Sequence, residues 1–433
     1  MLEELKLAAR KVTADLTLRN LLLDCNRLLS ERGEANSAAI AQELVTRFAA
    51  LPAARQHDFF EHLASHFSPD PATVLAAAQA YAAAPDAAGI ERLARVTEPP
   101  RQELLRRINR APGGTACIVG MRERLLARLG AQPALAPVEA DFLHLLSSWF
   151  NPGFLRLQRV DWNSPAQLLE QIIRHEAVHR IDGWDDLRRR LQPDRRCFAF
   201  FHPQLPDEPL IFVEVALLAA MPAAIAPLIE KHGPAPAGDE TFKVAAFYSI
   251  SNCQPGLKGV SLGNFLIKHV AQALTRELPQ LKTFCTLSPM PGFARWVRQG
   301  AVCDGLDEAR AQRLADAHHT LLDACAGDFD RLTRAEALQA LAPPAADALL
   351  RLGAGYLGGH STAPGGDPVA RFHLDNGARL ERLNPLGDLS PKGCTQSFGM
   401  MVNYLYDLQK IEAHHEKFVA GSVAQSRALA SSW

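Results

Sequence analysis

Apolar residues keep a helical period almost without interruption up to about residue 150, and beyond it they do not. Leu21, Leu22, Cys25, Leu28 and Leu29 repeat at i, i+3/i+4 and i+7, and Ile40, Leu44, Phe48 and Leu51 do the same. The breaks carry residues that start and stop helices: Ser68-Pro69-Asp70-Pro71, Pro85-Asp86, Pro99-Pro100 and Gly113-Gly114. Residues 1–150 are therefore expected to form an all-α domain of roughly eight helices. Within it, the alanine-rich tract 76–84 reads as close helix packing. Arg101, Arg106, Arg107 and Arg110 read as a solvated basic stripe or an intersubunit contact.

After residue 150, short β-branched and aromatic runs predict strands at 197–201, 210–215, 244–250 and 283–287. Between the last two, residues 265–278 predict a helix, and helix returns over 304–357 with a break at Pro343-Pro344. Phe372-His373-Leu374, Asn376-Gly377 and 378–383 read as a β-hairpin, because Asn-Gly is the strongest type I′ turn signal. Residues 151–433 are expected to be mixed α/β, which makes the whole chain α+β.

Lys and Arg number 46 against 47 Asp and Glu in 433 residues, a balance that argues against a dedicated nucleic-acid binder. The longest uncharged apolar run, 215–229, falls short of the ~20 residues of a spanning helix, and Pro222 and Pro227 interrupt it. No membrane association is expected. Eight cysteines without C-x-x-C spacing read as reduced thiols, and Glu3 and Glu4 with no apolar stretch behind them do not read as a secretory signal. A cytoplasmic protein is expected.

Three stretches can carry chemistry. His175-Glu176-Ala177-Val178-His179 fits H-E-x-x-H, in which two histidines one helical turn apart share a zinc and the glutamate activates water. The residues after it lack a metzincin continuation, and the run 185–190 suggests an exposed capped helix instead of a metal site. The second stretch, 247–264, places Gly259 and Gly263 between a predicted strand and a predicted helix. Backbone N–H groups there can converge on a pyrophosphate, although an ordinary strand–helix turn has the same pattern. It is neither a P-loop nor a G-x-G-x-x-G turn. It resembles the pyrophosphate loop of GNAT-type N-acetyltransferases, with Lys258 at the leading position and Ser261 in place of the middle glycine. The third is Leu287-Ser288-Pro289, where the proline holds Ser288 extended at a strand's carboxyl end.

Taken in order, several blocks resemble the malonyl-CoA decarboxylase family: Ser147-Ser148-Trp149-Phe150-Asn151-Pro152-Gly153-Phe154-Leu155, Glu176-Ala177-Val178-His179 and Phe247-Tyr248-Ser249-Ile250-Ser251. Gly256-Leu257-Lys258-Gly259-Val260, Leu262-Gly263-Asn264-Phe265-Leu266-Ile267-Lys268, Leu287-Ser288-Pro289 and Pro291-Gly292-Phe293 continue the match. Phe372-His373-Leu374, Asn376-Gly377-Ala378 and Gly399-Met400-Met401-Val402-Asn403-Tyr404 complete it.

The resemblance implies a helical oligomerisation domain over 1–150 and a GNAT-type acetyltransferase-like catalytic domain over 151–433. It implies malonyl-CoA and acetyl-CoA as ligands, a homo-oligomer (dimer or tetramer), and no metal, biotin or other cofactor. Its catalytic pair falls on Ser288 as proton acceptor and His373 as proton donor. Its malonyl-CoA contacts fall on Lys258, Gly259, Val260, Ser261, Leu262, Gly263, Asn264 and Ile267, together with Ser288 and His373. Ser261 departs from the acid that relatives carry there. The alternatives are an acyl-CoA-dependent N-acetyltransferase on the same fold, a zinc peptidase using His175, Glu176 and His179, and a helical scaffold that senses acyl-CoA.

Overall fold

A computed structural model of the chain describes residues 2–30, 36–230, 241–262, 266–363 and 365–433. It contains two compact units. One is Met1–Arg156 with Phe201–Asp207 and Gln254–Leu262; the other is Leu157–Phe200 with Glu208–Cys253 and Gly263–Trp433.

Eight α-helices lie among the described residues of the first unit: Leu2–Leu29, Ser37–Ala50, Ala53–His66, Pro71–Ala83, Ala87–Thr97, Pro100–Asn109, Gly114–Leu129 and Ala136–Trp149. Two of them start on predicted caps, with Asp70 accepting from Thr73 N and Asp86 from Gly89 N. The periodic residues Leu21, Cys25, Leu28, Leu44 and Phe48 are buried, and Phe48 meets Phe59 and Phe60 edge to face at 5.4 and 6.1 Å.

Two details differ from expectation. Arg101 is buried against Asp141 and donates to Ser68 Oγ at 2.7 Å, so it is a structural ion pair and not part of a solvated stripe. Helix periodicity cannot show this, because the partner is 40 residues away. The alanine tract forms Pro71–Ala83 beside Ala87–Thr97, with Tyr81 against Gly89, yet neither helix holds a buried residue.

A mixed sheet, all but residues 156, 201–202 and 205–207 of which belong to the second unit, is built from β1 (Arg156–Val160), β2 (Arg195–His202), β3 (Leu205–Leu218), β4 (Val244–Asn252), β5 (Thr283–Thr286), β6 (Ser288–Pro289), β7 (Arg379–Asn384) and β8 (Met401–Leu405). The order is β1-β2-β3-β4-β5-β8-β6, and β7 also pairs with β8. β4 and β5 are parallel, joined through the helix Leu266–Glu277, while β3–β4, β5–β8, β6–β8 and β7–β8 are antiparallel. β2 is buried at every position and β3 at most, the charged Arg195, Arg196 and Glu214 included.

The expected hairpin around His373 is not formed. Pro368–Asp375 is an α-helix whose N-cap, Asp367, accepts from Val369 N and Ala370 N, with a proline in the first turn. Asn376 ends the helix and Gly377 follows at φ +76°. Asn-Gly therefore serves as a helix C-terminus, which needs the same left-handed backbone as a type I′ turn. Residues 379–384 do form a strand, β7, but its partner is β8. The charged run 185–190 is exposed only at Asp185 and Arg188. Gly183–Arg190 is a helix, and its Arg190 is buried with Asp186 at 3.0 Å and Glu214 at 2.8 Å. No described helix is long and apolar enough to cross a membrane.

Candidate active site

The parallel register of β4 and β5 runs from Val244–Thr283 to Phe247–Thr286, and Leu287 N donates to Phe247 O at 3.0 Å. There the two strands part. β4 continues to Asn252, whereas Ser288 and Pro289 turn to pair with Val402 and Met401 of β8. A cleft of about 310 Å³ opens at the carboxyl ends of the two strands, lined among others by Val178, Phe247, Ser249, Ser288, Phe372 and His373. Ligand sites in open α/β sheets form at such places because loops and unpaired strand edges are exposed there.

The structure brings Ser288 and His373 together. Pro289 keeps Ser288 extended, and the helix Pro368–Asp375 carries His373 from the other side, leaving Ser288 Oγ 3.0 Å from His373 Nε2. Both side chains are buried. Ser288 Oγ also donates to Thr286 Oγ1 at 2.9 Å, and Thr286 Oγ1 accepts from Tyr404 N at 3.2 Å. His373 Nδ1 lies 2.8 Å from Tyr406 Oη, and the Tyr404 ring stacks on the imidazole at 4.6 Å.

Burial pulls the His373 pKa down to about 3, because no counter-charge offsets the lost hydration of an imidazolium. The ring is neutral at physiological pH. Burial likewise pushes the Tyr404 and Tyr406 phenols well above their ordinary range, so both keep their hydrogens.

Thr286, Tyr404, Tyr406 and Asp367 escaped the sequence reading. Asp367 is buried and tied at four points: Val369 N and Ala370 N on Oδ1, and Tyr356 Oη at 2.8 Å and Gly292 N at 3.2 Å on Oδ2. It anchors the start of the histidine-bearing helix. One signal for the tyrosines exists in Tyr404-Leu405-Tyr406. Two tyrosines two apart at a strand's end project to one face, and both reach His373.

The H-E-x-x-H segment is not one helix. Ala166–His175 ends at its first histidine, and Glu176 follows with extended backbone. The two histidines therefore do not stand one turn apart on a common face, which the zinc-peptidase reading requires. Glu176 is buried and accepts from Val178 N at 2.8 Å, His179 N at 2.7 Å, Ser249 Oγ at 2.8 and 2.7 Å, and Ser251 Oγ at 3.3 Å. Lys392 Nζ donates to the Ala177 and Val178 carbonyls at 3.3 and 3.2 Å. The segment is pinned to β4 and presents Val178 to the cleft. Among the described residues, no group of three His, Cys, Asp or Glu side chains is arranged to hold a metal ion.

Residues 254–262, including most of the expected CoA loop, belong to the helical unit. Arg122, paired with Glu139, donates to Gly256 O at 2.7 Å, and Gly256 packs so closely that a Cβ would overlap the Val119 carbonyl. Lys258, Gly259 and Ser261 are exposed, Val260 and Leu262 are buried, and Gly259 takes φ +81°. Gly263 and Asn264 lie outside the described residues. Ile267 is in the described helix, with its side chain in the core beside Val270 and Ala271.

Helices followed by a mixed α/β sheet, with a buried serine–histidine pair in a cleft of that sheet, make this an α+β protein. Residues 67–150 match the family model of the malonyl-CoA decarboxylase N-terminal domain, and residues 153–432 match that of the C-terminal domain. The chain belongs to the malonyl-CoA decarboxylase family.

Its relatives include the mitochondrial malonyl-CoA decarboxylase of Anser anser anser, 37% identical over 72% of this chain and 64% of the goose protein. The chain thus spans just under two thirds of the goose protein's length. The Mus musculus mitochondrial enzyme is 38% identical over 74% of this chain and 68% of its own length. Among solved structures, malonyl-CoA decarboxylase from Rhodopseudomonas palustris superposes with a TM-score of 0.83 at 48% identity, covering 95% of this chain and 98% of that one. The enzyme from Agrobacterium vitis gives 0.81 at 46% identity, covering 95% and 99%.

Proposed function

We propose that the chain works as a malonyl-CoA decarboxylase, converting malonyl-CoA to acetyl-CoA and CO2 without metal, biotin or other cofactor. The observation that carries this reading is the hydrogen-bonded Ser288–His373 pair in the cleft between β4 and β5, in a chain of this family. Loss of CO2 breaks the bond between the carboxyl carbon and Cα and leaves its electron pair on the thioester as an enolate. That enolate is a far stronger base than a deprotonated imidazole, so a neutral imidazole N–H is acid enough to protonate Cα. His373, held neutral by burial, is the proton donor. Ser288 contacts the malonyl group and is the acceptor of the pair, its oxygen facing Nε2 until substrate enters. The net reaction consumes one proton, which solvent returns to the histidine.

Lys258, Gly259, Val260, Ser261 and Leu262, with Gly263 and Asn264, are proposed to hold the nucleotide half of CoA through the Lys258 charge and loop N–H groups, apart from those of Lys258 and Val260, which donate to Pro255 O at 3.1 Å and Leu257 O at 2.9 Å. Ile267 supports the helix that follows. Binding energy from that remote half then fixes the reactive end in place. The same reading makes the protein cytoplasmic and a homo-oligomer, dimer or tetramer, joined through its helical unit. Eight free thiols fit a reducing compartment, and light scattering on the purified chain measures the assembly.

The test is incubation with malonyl-CoA in EDTA, without any amine acceptor. Equal amounts of CO2 and acetyl-CoA are expected, and no release of CO2 overturns the reading.

A further inference from the structure

We propose that Tyr406 is a positioning residue for this reaction, setting the tautomer of His373 so that the imidazole N–H points at Ser288 and the cleft. The inference rests on the decarboxylase reading and deepens it.

Tyr406 lies one residue beyond the end of β8 and is buried. Among the described residues its hydroxyl meets one hydrogen-bond partner, His373 Nδ1, at 2.8 Å. Burial keeps the phenol protonated, so the contact contains one O–H. A neutral imidazole has one N–H and one bare nitrogen, and the hydrogen bond at one nitrogen decides where the proton sits. If Nδ1 carried the proton, it would donate to Tyr406 Oη, and the phenol hydrogen would be buried without an acceptor, a costly state. If Nδ1 is bare, Tyr406 donates to it and the phenol hydrogen has its acceptor. Tyr406 then donates to Nδ1, Nε2–H donates to Ser288 Oγ, Ser288 donates to Thr286 Oγ1, and Tyr404 N closes the far end on the same oxygen. The chain of donors runs in one direction.

The stack of Tyr404 on the imidazole prevents the ring from tilting out of this line. The consequence for chemistry is direct. The proton destined for Cα sits on Nε2, the nitrogen beside the cleft, before substrate arrives. When the Nε2–H bond breaks, its electron pair stays on nitrogen and the enolate pair forms the new Cα–H bond. The Tyr406 hydrogen bond to Nδ1 stabilises the negative ring until solvent restores its proton.

The experiment uses the full chain with 15N-labelled histidine, His373→Asn identifying the signal, and steady-state decarboxylation by wild type and Tyr406→Phe. In the wild type, NMR is expected to show Nε2 protonated and Nδ1 bare and hydrogen-bonded. A Nδ1–H tautomer overturns the proposal. Tyr406→Phe should lower kcat by about 10–100-fold, the range for loss of a partner that orients a reacting group. KM for malonyl-CoA should stay within about twofold, and the Nδ1 signal should move. Unchanged kcat with unchanged histidine signals also overturns it. If Tyr406→Phe does not fold, the wild-type tautomer decides alone. An active wild type with Nδ1 protonated refutes this inference only, whereas a wild type that releases no CO2 refutes the decarboxylase reading itself.

Discussion

Ser288 Oγ and His373 Nε2 stand 3.0 Å apart although 85 residues separate them in the chain. One arrives on a two-residue strand that leaves its parallel neighbour, the other on a helix capped by Asp367. Neither element holds the pair without the other.

Removing either partner is expected to slow the chemical step. His373→Asn should lower kcat by roughly 10²–10⁴-fold, the usual worth of a general acid, with a much smaller change in KM. Ser288→Ala should act in the same direction, and the double variant should lose less than the product of the two. Steady-state assays of all three variants, with CoA affinity measured alongside, check this. Near-normal kcat in His373→Asn would remove the proton-donor role.

Acid should destabilise the fold in a defined window. His373 has a folded pKa of about 3, below the 6.5 of the free side chain, so the unfolded state binds more protons between those values. The stability this group supplies is complete above pH 6.5 and is lost as pH falls toward 3. Denaturant titrations from pH 7 to pH 4 should show a steeper loss in wild type than in His373→Asn. Equal slopes would show that His373 is not buried as a neutral group.

Asp367 should matter for both stability and rate. Asp367→Ala leaves two helix N–H groups, the Gly292 N–H and the Tyr356 hydroxyl without their acceptor. A cost of about 2 kcal/mol or more is expected from the lost cap and buried donors. The helix carrying His373 loses its anchor, so kcat should fall as well. Urea denaturation and kinetics on the same preparation test both effects, and wild-type values in both would contradict the assignment.

The 254–264 loop offers graded variants. Gly256→Ala forces a Cβ into the Val119 carbonyl and should destabilise the helical unit by roughly 1–3 kcal/mol. Lys258→Ala removes one exposed charge and should weaken CoA binding modestly, since backbone donors remain. Gly263→Val is expected to weaken it severely. Isothermal titration with CoA ranks the last two, and normal CoA binding by Gly263→Val would refute the loop assignment.

The sequence by itself determined what depends on neighbours along the chain. Helical periodicity, with Asp70 and Asp86 as caps, marked the N-terminal helices, and the runs at 244–250 and 283–287 marked the two parallel strands. Pro289 marked Ser288 as extended at a strand's end. Tertiary structure decided the rest, because the deciding partners lie far off in the chain. Asn376-Gly377 allows a left-handed residue either in a hairpin turn or past a helix, and the anchoring of Asp367 by Tyr356 and Gly292 accompanies the helix. H-E-A-V-H fits a metal motif by spacing, against which its continuation already argued, but only the fold shows that the helix ends at His175 and that Ser249 takes up the glutamate. Tyr406 carries no signal beyond its i, i+2 spacing from Tyr404. Only the pairing of β8 with β5 and β6 brings its hydroxyl to the imidazole, since a hydrogen bond needs two groups within about 3 Å and sequence spacing does not measure that distance.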